Sequence, residues 1–481
     1  MTAVTGGELE RLALAVQLPA FPGTALTDDV RRLLAGGLGG ICLFGSNTGA
    51  GAGAVAALVA DVHATAADAV VAVDEEGGSV TRLHVATGSP VLGPAALGVV
   101  DDLELTAAAG RAVGRDLAGL GIDLCLGPVA DVNSNPHNPV IGVRSFGAAP
   151  GPVAAHVAAW VGGLQAAGPA ACVKHFPGHG DTAVDSHLAL PVLEGDLERL
   201  RGRELVPFRA AVDAGVAAVM TSHLVVRALD PARPATLSPV VLSLLREELG
   251  FAGAVVTDAL DMAGASGATG VPEAAVRSLE AGADLLCLGA DKDPALVRAV
   301  QSAIVDAVRE GRIDEQRLAD AASRAAGLRR AASSGDHVAG AADSDAQHHA
   351  APHSLGVDGV LPDLAGALLA RVDTAPNIAV GRAAWGLPTS VAVQADRPGA
   401  AQHLAAAAGG RPVVLQVRDA HLHPATGRLV ADLAERTTVV LVELGWPGPR
   451  DPQVTRIRTH GVSRPTHAAL AQLLSEKGWS A

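Results

Sequence analysis

Tyrosine is absent from the 481-residue chain, and aromatic residues make up only 2% of it. Long ligand clefts stack their polymers on Trp and Tyr faces, so the composition argues against an extended open groove. Cysteine is scarce. Cys42, Cys125, Cys172 and Cys287 are the four present, none in a CxxC pair. Each sits in a short apolar run, which predicts buried reduced thiols rather than a zinc site or a disulfide framework.

No Lys/Arg run suggests a basic groove, and the formal net charge is -14. Such a chain repels phosphate backbones and anionic lipids, so nucleic acid and membrane surfaces are poor partners. No stretch reaches membrane-spanning length without a charge or glycine break. The N-terminus, MTAVTGGELERLALAVQLPAF, lacks the basic region, apolar core and cleavage site of a signal peptide. A cytoplasmic address is the default expectation.

What is present describes a well-buried globular protein: 49% hydrophobic and 18% charged residues. The length exceeds one ordinary core and predicts two domains. Apolar runs such as GGICLF, AVVAVDEEGG, AACVKHF and GAVVTDAL alternate with Ala/Leu/Arg/Glu-rich stretches of helical period. Strands apolar throughout and joined by helices predict a parallel sheet covered on both faces. Roughly eight such units fit a (β/α)8 TIM-like barrel, assigned to residues 1–332. Residues 333–356 read as a linker, rich in small and polar residues. Its histidines (His337, His348, His349 and His353) are irregularly spaced and do not predict a metal site. Residues 357–481 read as a smaller α/β domain, sandwich-like and structural. Within it Arg418, Asp419, His421 and His423 follow a strand.

Barrel active sites lie at the carboxyl ends of the strands. Asp74, Arg144, Lys174, His175, His223 and Asp258 all fall at or just after such ends. Fourteen residues, KHFPGHGDTAVDSH from Lys174 to His187, concentrate polar chemistry. An Asp emerging from a buried strand, as Asp258 does, serves as nucleophile or metal ligand. Asp185 beside His187 forms an Asp-x-His pair, in which the carboxylate fixes the imidazole and raises its basicity.

The motifs DEEGGSVTRL, NSNPHNPVIGVRSFG, KHFPGHGDTAVDSH and VVTDALDM, in that order, resemble glycoside hydrolase family 3, specifically its bacterial β-N-acetylglucosaminidase branch. The resemblance covers about residues 1–330. It implies a retaining enzyme in which Asp258 attacks the anomeric carbon and His187, held by Asp185, is the general acid/base, while the scarcity of aromatics predicts a closed pocket for one terminal sugar and exo action. It implies that Asp74, Arg82, Arg144, Lys174 and His175 grip the sugar, and that His223 and Met262 line the same pocket. It implies a small carbohydrate substrate, a muropeptide or chito-oligosaccharide, with no cofactor and no metal. A neutral imidazole would not repel an anionic acceptor, so a phosphorylase using inorganic phosphate is the alternative reading.

Three other readings compete. His175, His179, Asp181, Asp185 and His187 offer ligands to a metal hydrolase. A β-glucosidase or xylosidase of the same family, or a non-catalytic sugar-binding protein, would share the scaffold. Asp261 is the alternative nucleophile. His179 and Asp181 read as braces of their loop. Ser79 and Ser46 stand where family members commonly carry arginine, which bears on the aglycone side.

Overall fold

The computed structural model describes residues 6–183, 190–267, 269–332, 342–374, 379–381, 385–450 and 454–480. The predicted barrel strands are present as β1 (Gln17–Leu18), β2 (Gly40–Leu43), β3 (Val70–Val73), β4 (Leu124–Cys125), β5 (Ala170–Phe176), β6 (Ala218–Thr221), β7 (Ala254–Val256) and β8 (Leu286–Cys287). Strands β2 to β7 pair in parallel in chain order, and β8 pairs with β1. A parallel bridge from Val256 to Leu285 joins β7 to the β8 segment. The Cys42 amide donates to the Pro19 carbonyl at 2.9 Å and joins β2 to the end of β1. The sheet therefore curls round into a TIM-like α/β barrel.

Period-two alternation explains why these strands are apolar on both faces. Cys42, Val70, Ala72, Cys172, Met220 and Val256 point inward and fill the barrel. Ile41, Val71, Val73, Val173 and Val255 point outward under the helices. Ala325 and Leu328, on the helix Glu315–Ala332, join the interior cluster. The four cysteines are free and buried.

The second sheet comprises β9 (Gly356–Asp358), β10 (Leu368–Val372), β11 (Ala392–Val393), β12 (Val413–Val417), β13 (Val439–Glu443) and β14 (Thr455–Arg458). Its order is β9-β14-β13-β12-β10-β11, parallel except for β9. Helices Ala400–Ala408 and Pro424–Ala434 cover one face through Leu404, Leu429 and Leu433. Helix Arg464–Ser475 covers the other through Leu470 and Leu474. The result is an αβα sandwich whose strand order reverses between β10 and β12, the place where open α/β sheets present a crevice.

The stretch read as a linker differs in part. Residues 333–341, with His337, lie outside the described residues, but Ala342–Ala350 is a helix. Asp343 pairs with Arg111 at 3.2 Å and Arg115 at 2.5 Å. Gln347 is fully buried, accepting from the Leu92 amide and donating to the Leu105 carbonyl. Polar composition disguised a segment that docks by satisfying buried backbone groups.

Candidate active site

The strand-end residues converge. A pocket of about 310 Å³ at the carboxyl ends of the barrel strands is lined by Asp74, Glu76, Arg82, Arg144, Lys174, His175, His179, Asp258 and Met262, among others. Phe44, Leu126, Val140 and Met220 give it apolar walls. Ala379, from the segment that follows β10 in the second sheet, closes one side, and its carbonyl accepts from Arg82 Nη2 at 2.9 Å. The second domain thus reaches the pocket, a contribution that its sequence does not signal.

Each polar residue is placed by local structure. Asp74 follows β3 directly. Gly77 and Gly78 hold positive φ of 81° and 59°, in the left-handed region that favours glycine. A Cβ on Gly78 would meet Gly93 Cα at 2.3 Å. The tight turn carries the chain to Arg82, whose Nη2 lies 3.9 Å from Asp74 Oδ2. Lys174 and His175 occupy β5 itself. After them the PGHG loop lies flush on the chain that follows β4: a Cβ on Gly180 would sit 1.9 Å from the Val132 carbonyl oxygen.

The electrostatic centre is a residue that the sequence reading did not single out. Glu76, 2% exposed, receives Arg144 Nε at 2.9 Å and Nη2 at 2.7 Å, and Lys174 Nζ at 2.7 Å. Lys174 Nζ also reaches Asp74 Oδ1 at 2.7 Å. Burial alone would raise the Glu76 carboxyl, but the Arg144 and Lys174 charges overcome it and hold the group well below the usual carboxylate range. Burial likewise opposes the charged forms of Lys174 and Arg144. Asp74 and Glu76 outweigh it for Lys174, and Glu76 does so for Arg144, so both stay charged.

Asp131 is a second unsignalled brace. It is fully buried, facing His175 Nδ1 at 2.7 Å and the His179 amide at 2.7 Å. Burial raises its carboxyl, but the His175 imidazole brings the balance below the usual value. His175 Nδ1–H therefore donates to Asp131, leaving Nε2 as an acceptor 3.5 Å from Arg144 Nη2. The signal that could have found both carboxylates is the strand-end position: Glu76 lies two residues after Asp74, and Asp131 stands in the run after β4.

Asp258 lies on the pocket wall just after β7, its Oδ1 accepting from the Ala259 amide at 2.8 Å. Asp261 lines the same pocket but pairs with Lys292 at 2.7 Å. Met262 is in the wall. His223 is not. Fully buried, it faces Thr236 Oγ1 with Nδ1 and the Ala259 carbonyl with Nε2, each at 3.0 Å. It braces the segment behind Asp258 because both ring nitrogens are engaged by protein groups.

Asp185 and His187 lie outside the described residues. Asp181 is turned away from the pocket, paired with Arg199 at 2.9 Å and Arg203 at 2.7 Å. Among the described residues no group of three His, Cys, Asp or Glu side chains is arranged to hold a metal ion. Ser79 accepts from the Val462 amide at 3.3 Å across the two domains, and Ser46 pairs with Asp291 at 2.7 Å.

The family model for the glycosyl hydrolase family 3 N-terminal domain matches residues 8–328. A beta-hexosaminidase A of Pseudoalteromonas piscicida is 36% identical over 280 residues, 54% of this chain, and the chain spans about half (47%) of that protein's length. A beta-hexosaminidase of Methylococcus capsulatus is 40% identical over 270 residues, 55% of this chain and 79% of that one. The solved family 3 beta-N-acetylglucosaminidase of Paenibacillus sp. FPU-7 superimposes with a TM-score of 0.87 at 32% identity, covering 99% of this chain and 97% of that one. The match spans the barrel, the pocket and the second sheet together: the chain belongs to glycosyl hydrolase family 3.

Proposed function

We propose that the pocket binds one terminal N-acetylglucosamine and that the protein hydrolyses its β-glycosidic bond with retention of configuration. The observation that carries this reading is the placement of Asp258 in the wall of a pocket that is also lined by the interlocked Asp74, Lys174, Glu76 and Arg144. A carboxylate beside a rigid array of hydrogen-bonding groups suits a neutral polyhydroxylated ring next to a nucleophile. The names of the matched relatives, hexosaminidases and a β-N-acetylglucosaminidase, support the same reading.

In this mechanism Asp258 attacks the anomeric carbon as His187, oriented by Asp185, protonates the leaving oxygen. The glycosyl–aspartate ester forms as the aglycone departs. His187 then takes a proton from water, whose oxygen attacks the same carbon and releases Asp258. Asp74, Arg82, Arg144, Lys174 and His175 hold the ring, and Met262 packs against it. The pocket is of single-sugar size and Phe44 is the only Phe, Tyr or Trp in its described lining, so the reading is exo action on small fragments. Muropeptides and chito-oligosaccharides fit that description, and a cytoplasmic address is part of it. Among the described residues no helix is long and apolar enough to cross a membrane.

Water is the acceptor here. The matched relatives carry hydrolase names. The test is a direct comparison of aryl β-N-acetylglucosaminide with aryl β-glucoside. Faster release from the N-acetylated substrate, with free sugar as product at millimolar phosphate, supports the reading. Preference for the glucoside, or a sugar 1-phosphate product, overturns it.

A further inference from the structure

One nitrogen in the pocket wall has no assigned work. His179 is 2% exposed and lines the pocket, yet its Nε2 is buried without a hydrogen-bond partner. Everything else about the residue is fixed. Its amide donates to Asp131 Oδ1 at 2.7 Å and its carbonyl accepts from Asn138 Nδ2 at 2.8 Å. Its Nδ1 faces Thr182 Oγ1 at 2.9 Å. The Thr182 hydroxyl donates to the His179 carbonyl at 3.1 Å, so the oxygen has a lone pair for Nδ1–H. In the tautomer that matches this arrangement Nδ1–H donates to Thr182 Oγ1, and Nε2 is a bare acceptor.

A buried acceptor left empty costs on the order of 1–3 kcal/mol, which a ligand donor would recover. Burial pushes the imidazole down to about 4, so the acceptor persists across neutral pH. His179 lines the same pocket as Asp258, with its ring centroid 6.2 Å from that of His175. The substrate atoms beside the carbon that Asp258 attacks are therefore the relevant ones. Of the groups on or beside that carbon, the ring oxygen and the glycosidic oxygen carry no proton to donate, whereas the substituent on C2 does.

We propose that His179 is a substrate-binding residue whose Nε2 accepts a hydrogen bond from the donor on C2, the amide N–H of an N-acetylated sugar. The inference rests on the glycosidase reading above and deepens it, since it names a group that recognises the C2 substituent. The complementarity is specific: a buried acceptor meets a donor, and an analogue without one leaves the nitrogen buried and unpaired.

The experiment crosses enzyme with substrate. Two apolar replacements, His179→Phe and His179→Leu, guard against one failing to fold, and melting temperatures establish which is intact. Each is assayed with an aryl β-N-acetylglucosaminide and an aryl 2-deoxy-β-glucoside, which lacks the C2 donor. The expected result is a fall of about ten- to hundred-fold in kcat/KM for the N-acetylated substrate, chiefly through KM. The 2-deoxy substrate should change by less than about threefold, and His179→Gln, which keeps an acceptor, should recover part of the loss. Equal losses on both substrates mark a purely structural histidine and overturn the proposal, as does an unchanged N-acetylglucosaminide rate. If the unaltered protein cleaves no N-acetylglucosaminide, the glycosidase reading itself fails, which is a separate outcome.

Discussion

The barrel and the second domain both bury ionisable side chains at the carboxyl ends of parallel strands, but they satisfy them differently. In the barrel, Glu76 takes two cations, Lys174 takes two carboxylates, and the array borders a 310 Å³ pocket. In the second domain, Glu443 ends β13 and is satisfied by backbone: its oxygens accept from the amides of Asp419, Ala420 and Gly445. Arg418 follows β12 directly and stacks on Trp385, its guanidinium carbon 4.8 Å from the ring centroid. Side-chain ion pairs hold functional groups at a chosen orientation toward a ligand, whereas backbone amides spent on a carboxylate tie a loop. Strand-end position alone therefore does not mark an active site; the partners of the charges do.

The sharpest way to break this contrast is to remove the group that gives the barrel pocket its chemistry. Asp258→Ala should lower kcat for an aryl N-acetylglucosaminide by at least about 10³-fold, worth about 4 kcal/mol in the barrier. Retained melting temperature would show that the loss is chemical.

Glu76→Gln tests whether the barrel network is held by mutual pairing. The substitution leaves Arg144 and part of the Lys174 charge uncompensated in a buried site, which costs about 3 kcal/mol of stability. Chemical denaturation reads that loss, and steady-state kinetics should show a fall in kcat/KM with it.

The second domain makes a pH-dependent counterpart. Burial and the neighbouring Asp419 push Glu443 up to about 8, from an ordinary 4.5. The folded state then keeps a proton that the unfolded chain releases, so this group's contribution is complete below about 4.5 and is lost as pH rises to about 8. Stability measured by denaturant titration should decline across that window with a slope approaching about 1.4 kcal/mol per pH unit. Asp419→Asn, which keeps the oxygen that accepts from Trp446, should flatten the decline. A slope unchanged by the substitution would remove Asp419 as its cause.

The smallest effect is expected at Arg418. Arg418→Met keeps an unbranched chain against Trp385, so turnover should stay within about twofold of the unaltered protein. A large loss of activity would make this domain's strand ends part of the site and dissolve the contrast.

The barrel was legible because its strands are buried on both faces and end abruptly in polar residues: VVAV before Asp74, AVVT before Asp258. The motifs that carry Arg82 and Met262 are short-range, and both residues line the pocket. What stayed hidden depends on pairing between distant segments. Glu76 meets Arg144 across 68 residues of chain, and Asp131 meets His175 across 44. Neither spacing has a sequence signature. His223 shares the strand-end position of the true pocket residues, but Thr236 and the Ala259 carbonyl, fixed only by folding, turn it inward. The helix at Ala342–Ala350 was masked by its small polar residues, and Ala379 by its place in another domain.

The central claim, that Asp258 carries the sugar during turnover, is tested most directly by acid-quenching the protein during hydrolysis of an activated aryl N-acetylglucosaminide and mapping its peptides by mass spectrometry. The account predicts an added N-acetylhexosaminyl group on the peptide that holds Asp258, assigned to that side chain by fragmentation. The same group on Asp261, or turnover with inversion and no adduct, would contradict it.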